Sequence, residues 1–156
     1  MTHLQSPETC FICRKHHGLE PIPGGAIYED ESVYAGHAQI PEGQTLAYLG
    51  YLMLEPKRHI RGLADLNDEE TQALGRLSAR LSRALQRSEH AKHVYAFVLG
   101  DGLPHPHIHL VPRYPGAPPE YWGVHVDEWP EAPRGGPTEM AALCARLREA
   151  LKDLTG

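Results

Sequence analysis

The chain has 156 residues and a formal net charge of −5, with 41% hydrophobic and 22% charged residues. This composition is typical of a globular protein of one domain, and the acidic balance argues against a nucleic-acid polymer as the partner. The longest apolar run is far shorter than the roughly 18 residues of a membrane helix, and residues 1–10 lack the apolar segment of a signal peptide. We therefore expect one domain over residues 1–156 that binds neither nucleic acid nor membrane.

The first motif along the chain is the pair Cys10 and Cys13, a CxxC that supplies two of the four ligands of a tetrahedral zinc site. With Cys144 the chain has three cysteines, and this odd count favours a reducing cytoplasm over a disulfide framework. Two buried thiols without a metal are the alternative. A thioredoxin-type redox motif fits less well, because no βαβ pattern surrounds the pair.

The next segments predict strands. Residues 27–35 (IYEDESVYA) indicate a hairpin with an acidic turn. Residues 45–54 form a near-continuous apolar run, which predicts one buried central strand that stops at Glu55-Pro56, where proline removes a ladder donor. Residues 56–59 then form an exposed turn, and residues 93–99 predict a further strand.

Two segments predict amphipathic helices. Residues 68–88 can begin with a capping box of Asn67 and Glu70. Residues 138–153, after an irregular loop rich in proline, glycine and aromatic residues, place Cys144 beside an apolar face. Strands joined by tight turns and covered by helices define an α+β fold with an antiparallel sheet. The leucines that share one face of the longer helix are Leu74, Leu77, Leu81 and Leu85.

Three histidines, His105, His107 and His109, follow one another at a spacing of two. Successive side chains of a strand point to opposite faces, so a strand over residues 105–111 would carry three imidazoles in one row. Histidine serves as nucleophile, proton carrier or metal ligand near neutral pH. The row therefore predicts a catalytic site, with a pure metal site as the alternative.

This His-x-His-x-His motif, with two apolar residues and Pro112-Arg113 after it, resembles the signature of the histidine triad (HIT) family of nucleotidyl hydrolases and transferases. The segments CFIC (10–13), IYEDESVYA (27–35) and GYLMLEPKRHIRGLADL (50–66) occur in the same order as in bacterial members. The resemblance covers about residues 10–115. It implies a HIT-like fold whose core is residues 10–115, with residues 116–156 as a C-terminal loop and helix, and it implies a homodimer.

The resemblance also implies a metal site. In bacterial members the histidine of a PK-x-H turn binds zinc together with the CxxC pair and the first triad histidine. Carried over to this sequence, the ligands of a structural zinc ion are Cys10, Cys13, His59 and His105. Such a site ties the N-terminal segment to the triad and leaves His105 outside the chemistry.

For the reaction, the resemblance implies that the middle histidine, His107, attacks the α-phosphate of a nucleotide and that water then cleaves the nucleotidyl-histidine. His109 donates to the phosphate or to the leaving group. The turn Gly100-Asp101-Gly102 can bring backbone N–H groups close to the phosphate, because glycine permits tight approach. The expected substrate is a dinucleoside polyphosphate or a nucleoside phosphoramidate.

Several residues depart from the family pattern. Ala38 stands where an aspartate often holds the ribose hydroxyls, and Tyr51 stands where histidine is common. Gly102 replaces a serine or threonine, and Pro106 replaces an aliphatic residue. Two alternatives to a hydrolase therefore stay open. One is a nucleotidyl transferase or phosphorylase, whose branch tolerates proline between the histidines. The other is a non-catalytic protein that binds zinc and a nucleotide.

Overall fold

The computed structural model describes residues 6–153 as an antiparallel sheet with helices, which confirms the α+β prediction. Five strands form one sheet in the spatial order β1-β2-β4-β6-β5, and β3 pairs with β7 in a separate two-stranded ribbon. The strands in chain order are β1 (Ala26–Glu29), β2 (Val33–His37), β3 (Ala47–Tyr48), β4 (Leu52–Pro56), β5 (His93–Phe97), β6 (Ile108–Arg113) and β7 (Arg134–Gly135).

Three helices accompany the sheet: α1 (Phe11–His16), α2 (Asp68–Ser88) and α3 (Pro137–Asp153). Short 3-10 turns occur at Leu63–Asp65, Pro119–Tyr121 and Val126–Glu128. Within residues 6–153 no helix combines the length and the apolar character needed to cross a membrane. The sequence pattern gave no sign of α1, which has only six residues and holds the second cysteine of the CxxC pair.

The helix α2 begins and ends at the residues that the sequence predicts. The Asn67 side chain accepts from the Glu70 backbone N–H at 2.8 Å, and the Glu70 carboxylate accepts from the Asn67 backbone N–H at 3.0 Å. This reciprocal capping box satisfies two backbone donors that the first turn leaves free. The leucine stripe of α2 packs against one face of the sheet in a core that also includes Leu54, Leu110 and Cys144.

The predicted single strand over residues 45–54 is wrong, because the chain turns in its middle. Gly50 has a φ of +87°, a conformation that fits glycine and breaks an extended strand. A Cβ atom at Gly50 would lie 2.6 Å from the Tyr114 hydroxyl and 2.9 Å from the Pro112 side chain. The segment is therefore divided into β3, a turn and β4. The central position of β4 and its end at Pro56 are as predicted.

The predicted strand over residues 105–111 is also wrong at its start, since β6 begins only at Ile108. Pro106 has no N–H for a ladder, and the backbone N–H of His105 donates to the Leu103 carbonyl at 2.8 Å. His105 and His107 therefore lie in an irregular segment, and only His109 is on the strand.

The other face of the sheet is covered by the C-terminal loop. Val126 and Trp129 are buried there against Tyr114 and Val111. Trp122 of the same loop is 49% exposed. Its ring instead lies under the Arg113 guanidinium, 3.8 Å from the ring centroid.

Candidate functional site: a cysteine and histidine cluster beside a histidine-lined cavity

Four side chains from three distant parts of the chain converge at the end of α1. Cys10 and Cys13 come from the start of the chain, His59 follows β4, and His105 precedes β6. One ligand atom from each of them lies within 4.8 Å of the other three. These four residues are the predicted zinc ligands, and we call them the Cys2His2 cluster.

The distances within the Cys2His2 cluster fit a tetrahedral ion. The Cys13 sulfur lies 3.3 Å from His59 Nδ1 and 3.6 Å from His105 Nδ1, and the Cys10 sulfur lies 3.6 Å from His105 Nδ1. A tetrahedral zinc ion with Zn–S of about 2.3 Å and Zn–N of about 2.0 Å sets its sulfur and nitrogen ligands about 3.5 Å apart. The structure thus has a Cys2His2 cluster that can bind zinc.

The protonation of the cluster also suits a metal. His105 Nε2 lies 2.7 Å from the Pro56 carbonyl oxygen, which can only accept, so Nε2 carries the proton and Nδ1 keeps its lone pair. Burial lowers the pKa of His105 to about 4. Burial, together with the neighbouring Cys10 thiol, raises the pKa of Cys13 to about 12, so the thiolate that binds zinc forms only when a cation lies beside it.

A buried ion pair holds α1 against the sheet next to the cluster. The Lys15 ammonium contacts the Glu55 carboxylate, and His16 Nε2 lies 3.2 Å from the same oxygen. Burial raises the pKa of Glu55, but the charge of Lys15 and the hydrogen bond of His16 outweigh burial and hold that pKa below its usual value. His16 thus bonds Glu55 and is not one of the four residues of the Cys2His2 cluster.

The second and third triad histidines lie on the side of the triad away from the cysteines. His107 Nδ1 lies 2.8 Å from the His105 carbonyl oxygen, so Nδ1 carries the proton and Nε2 keeps the lone pair. The His107 and His109 rings are 4.9 Å apart between centroids. The structure therefore places two imidazoles side by side, and one of them has its tautomer fixed by the backbone.

The His109 ring is held on two sides. Phe97, its partner in the β5–β6 register, stacks on it with centroids 4.8 Å apart and an interplanar angle of 10°. The Tyr51 hydroxyl lies 2.7 Å from His109 Nδ1. Burial and the charge of His107 lower the pKa of His109 to about 4, so this imidazole is neutral at physiological pH.

A cavity of about 600 Å³ opens beside His109, a size in the range of small-molecule sites. Aromatic and apolar side chains make part of its wall, and the polar wall includes two amides, two carboxylates and a guanidinium. Its lining comprises His37, Ala38, Gln39, Pro41, Gln44, Ala47, Tyr48, Tyr51, Met53, His109, Asp127, Glu128 and Arg134.

The structure brings some predicted site residues to this cavity and not others. The turn Gly100-Asp101-Gly102 is exposed between β5 and β6 and is not part of the cavity wall. His37 is buried with both ring nitrogens occupied, since Nδ1 donates to the Ala38 carbonyl and Nε2 accepts from the Gly50 N–H. His37 is thus a structural residue of the cavity wall.

Sequence reasoning missed Asp127, Arg134 and Phe97. Asp127 and Arg134 belong to the C-terminal loop, and no local spacing links them to the triad. Phe97 had a usable signal, because an antiparallel pairing of the two strands sets it opposite His109.

The fold and the site together define an α+β protein with a Cys2His2 cluster and a pair of adjacent imidazoles, His107 and His109. Of these two, His109 lines the cavity and His107 is not part of its wall. The HIT domain family model matches residues 20–116, which is more than half of the 156 residues. The chain belongs to the HIT domain family. A search of curated proteins found no match for the sequence.

Solved structures with the same fold cover nearly the whole chain. A Zn-bound histidine triad family protein from Mycobacterium smegmatis is similar at 24% identity and a TM-score of 0.69, over 96% of this chain and 98% of that one. A hypothetical histidine triad nucleotide-binding protein from Sulfolobus tokodaii has 18% identity and a TM-score of 0.72, over 94% of each chain. A HIT family member from Bacillus subtilis has 26% identity and a TM-score of 0.55, over 79% of this chain and 88% of that one.

Proposed function

We propose that this protein is a nucleotidyl hydrolase that cleaves a dinucleoside polyphosphate or a nucleoside phosphoramidate at the α-phosphate. The observation that carries the proposal is the 2.8 Å hydrogen bond from His107 Nδ1 to the His105 carbonyl. It leaves the lone pair on Nε2, where a neutral imidazole acts as a nucleophile. Membership of the HIT family supports a nucleotide as the substrate.

The proposed reaction has two displacements at phosphorus. His107 Nε2 attacks the α-phosphorus, a P–N bond forms, and the bond from phosphorus to the leaving oxygen or nitrogen breaks. The imidazole of the intermediate carries a positive charge, which the His105 carbonyl stabilises through the Nδ1–H bond. Water then attacks the same phosphorus, the P–N bond breaks, and a nucleoside monophosphate leaves while His107 returns to its neutral form. The attacking water gives up one proton to solvent in this step. In the first step a leaving oxygen departs as an anion, whereas a leaving nitrogen takes a proton from solvent.

His109 is the proposed hydrogen-bond donor to the phosphate or the leaving group. Its ring lies beside His107 and on the cavity wall. Because its pKa is held at about 4, it acts as a neutral donor over the physiological range. Its bond stabilises negative charge on the oxygen that it contacts.

The exposed turn Gly100-Asp101-Gly102 is proposed to contact the phosphates through its backbone. Gly100 has a φ of +80°, and an added Cβ at Gly100 or Gly102 would meet no atom within 4 Å. The space around both glycines is therefore open, as the approach of a phosphate to the backbone requires.

The test is intact-protein mass spectrometry after a short, acid-free quench with a panel of nucleoside phosphoramidates and dinucleoside polyphosphates. We expect a nucleoside monophosphate adduct on the wild type and none on His107→Ala, with turnover lowered by at least about a thousandfold. His17→Ala is the control, because His17 is an exposed histidine just after α1. Near-normal turnover in His107→Ala would refute the nucleophile assignment.

The same panel separates the alternatives. A product that incorporates inorganic phosphate in place of water indicates a phosphorylase or transferase. No adduct and no turnover with any substrate indicates a protein that binds zinc and a nucleotide without catalysis.

We propose further that the protein is a homodimer joined along β5. This strand is an edge of the sheet, and free edges favour pairing with another chain. Val98 and Leu99, just after it, are 36% and 63% exposed. Light scattering should give the mass of a dimer for the wild type and of a monomer for Leu99→Asp.

The compartment that we propose is the cytoplasm. The three cysteines are free thiols, and free thiols are maintained by a reducing environment. The proposed partners are thus a nucleotide and a second copy of the chain, with no nucleic-acid polymer and no membrane.

A further inference from the structure

The hydroxyl of Tyr51 is the atom that contacts the outer triad histidine, at 2.7 Å from His109 Nδ1. We propose that Tyr51 is a positioning residue whose O–H donates to His109 Nδ1 and so holds the imidazole in the tautomer with a proton on Nε2. His109 then presents a single N–H donor to an oxygen of the substrate. The role of that donor in turnover rests on the proposed function, whereas the tautomer itself does not.

The direction of the hydrogen bond follows from the protonation states of the Tyr51 phenol and the His109 imidazole. Burial, with a smaller contribution from Asp127, raises the pKa of Tyr51 to about 12, so the phenol keeps its proton. A neutral imidazole has one N–H and one lone pair. Among residues 6–153 the Tyr51 hydroxyl has His109 Nδ1 as its one acceptor. Within this part of the chain the phenol proton is therefore paired only when it lies on the bond to Nδ1.

Two neighbours fix the ring in complementary ways. Phe97 stacks nearly parallel to His109 and sets the plane of the imidazole. The Tyr51 ring meets His109 edge-on, at an interplanar angle of 74°, and its hydroxyl selects which ring nitrogen faces Tyr51. A flip of the imidazole by 180° within the stack would bring a C–H to the hydroxyl and lose the bond, so Nε2 is kept on the far side.

His109 Nε2 is shielded from solvent and has no hydrogen-bond partner within the described part of the chain. Buried polar atoms are nearly always paired in folded proteins. The ring of His109 lies beside that of His107, with centroids 4.9 Å apart. Its unpaired N–H is therefore a donor that a substrate oxygen can satisfy. The bond stabilises charge without a net proton transfer, because His109 Nδ1 is already occupied by Tyr51.

The direct test is nitrogen-15 NMR of the histidine side chains in the zinc-loaded protein, with His109 assigned by comparison with His109→Gln. We expect the wild type to show protonated Nε2 and hydrogen-bonded, unprotonated Nδ1 for His109. In Tyr51→Phe the Nδ1 signal of His109 should shift to the position of a nitrogen that accepts no hydrogen bond. Signals of the tautomer with the proton on Nδ1 should also appear. Tyr28→Phe is the matched control, because its hydroxyl donates to Asp30 and lies outside the site.

Kinetics supply a second readout with whichever substrate the wild type turns over. Tyr51→Phe should lower kcat about tenfold with KM changed less than about twofold, and Tyr51→His, which can also donate, should recover part of the loss. Tyr28→Phe should turn over at the wild-type rate. A merely structural role of Tyr51 would lower stability without the change in the His109 signals.

Two results would overturn the proposal: a wild-type His109 protonated on Nδ1, or His109 signals that are the same in Tyr51→Phe and wild type. The wild-type spectrum decides the first even if Tyr51→Phe does not fold. The spectra can be recorded without a substrate. If the wild type turned over no substrate, the hydrolase proposal would fail, but the proposed tautomer of His109 would still be testable. If the wild type turned over substrate with His109 protonated on Nδ1, only the proposed role of Tyr51 would fail.

Discussion

The ammonium of Lys15 in α1 forms an ion pair with the carboxylate of Glu55 near the end of β4, and the two side chains are 5% and 0% exposed. An isolated six-residue helix is not stable in water. The ion pair therefore helps to fix α1 on the sheet, together with the buried apolar cluster around Ile12. It thereby helps to hold Cys10 and Cys13 of the Cys2His2 cluster in place.

Lys15→Met should destabilise the protein by about 3–5 kcal/mol, because it leaves a buried carboxylate without its counter-charge. Urea unfolding measures this free energy. Arg14→Met is the control in the same helix, since the Arg14–Glu20 pair is 39% and 36% exposed and such pairs contribute less than about 1 kcal/mol. The double variant Lys15→Met/Glu55→Leu should be more stable than Lys15→Met alone, and equal losses in Lys15→Met and Arg14→Met would contradict this role.

Removing a ligand of the Cys2His2 cluster should lower metal content and thermal stability more than it lowers the intrinsic chemistry, because metal binding free energy contributes to folding. Cys10→Ser and His59→Ala test this by metal analysis and thermal unfolding. Cys144→Ser is the control, since Cys144 is a buried thiol in the main core outside the cluster. It should keep the wild-type zinc content, and equal zinc in all four proteins would exclude the site.

The parts of the fold that sequence predicts best are those with local signals. The helix α2 has its capping box within four residues and its leucine stripe within three turns, so its bounds were predicted correctly. The signal for the hairpin of β1 and β2 is also local, because the residues that close its turn are neighbours in sequence. The Asp30 carboxylate accepts from the backbone N–H groups of Ser32 and Val33.

The errors occur where backbone conformation depends on distant contacts. Apolar residues around Gly50 reveal neither its positive φ nor the close approach of the Tyr114 hydroxyl, which leaves no room for a Cβ. The histidine spacing indicated a strand, but the backbone at His105 is set by Leu103 and by the missing N–H of Pro106. Tyr51 was recognised only as a departure from a family pattern, because no spacing shows that its hydroxyl reaches His109.

The turn between β3 and β4 should not tolerate a side chain at Gly50. Gly50→Ala combines a positive φ with a Cβ only 2.6 Å from the Tyr114 hydroxyl, and we expect a loss of about 3 kcal/mol. Gly75→Ala is the matched control, because Gly75 lies within α2 and its added Cβ would meet nothing within 4 Å. It should stabilise the protein by about 0.5–1 kcal/mol. Chemical unfolding of both variants checks the two signs, and a stable Gly50→Ala would show that the turn can relax.

The buried imidazole of His109 should make stability depend on pH below neutrality. The unfolded chain binds a proton on this histidine near pH 6.5, whereas burial in the folded chain keeps it neutral until about pH 4. The unfolded state thus holds more protons in this window, so the free energy of unfolding falls as pH falls from about 6.5 to about 4. We expect the wild type to lose more stability than His109→Gln between pH 7 and pH 5 in urea unfolding. Both proteins contain the Cys2His2 cluster, so its pH dependence cancels in the comparison. Parallel plots of unfolding free energy against pH for the two proteins would contradict the lowered pKa of His109.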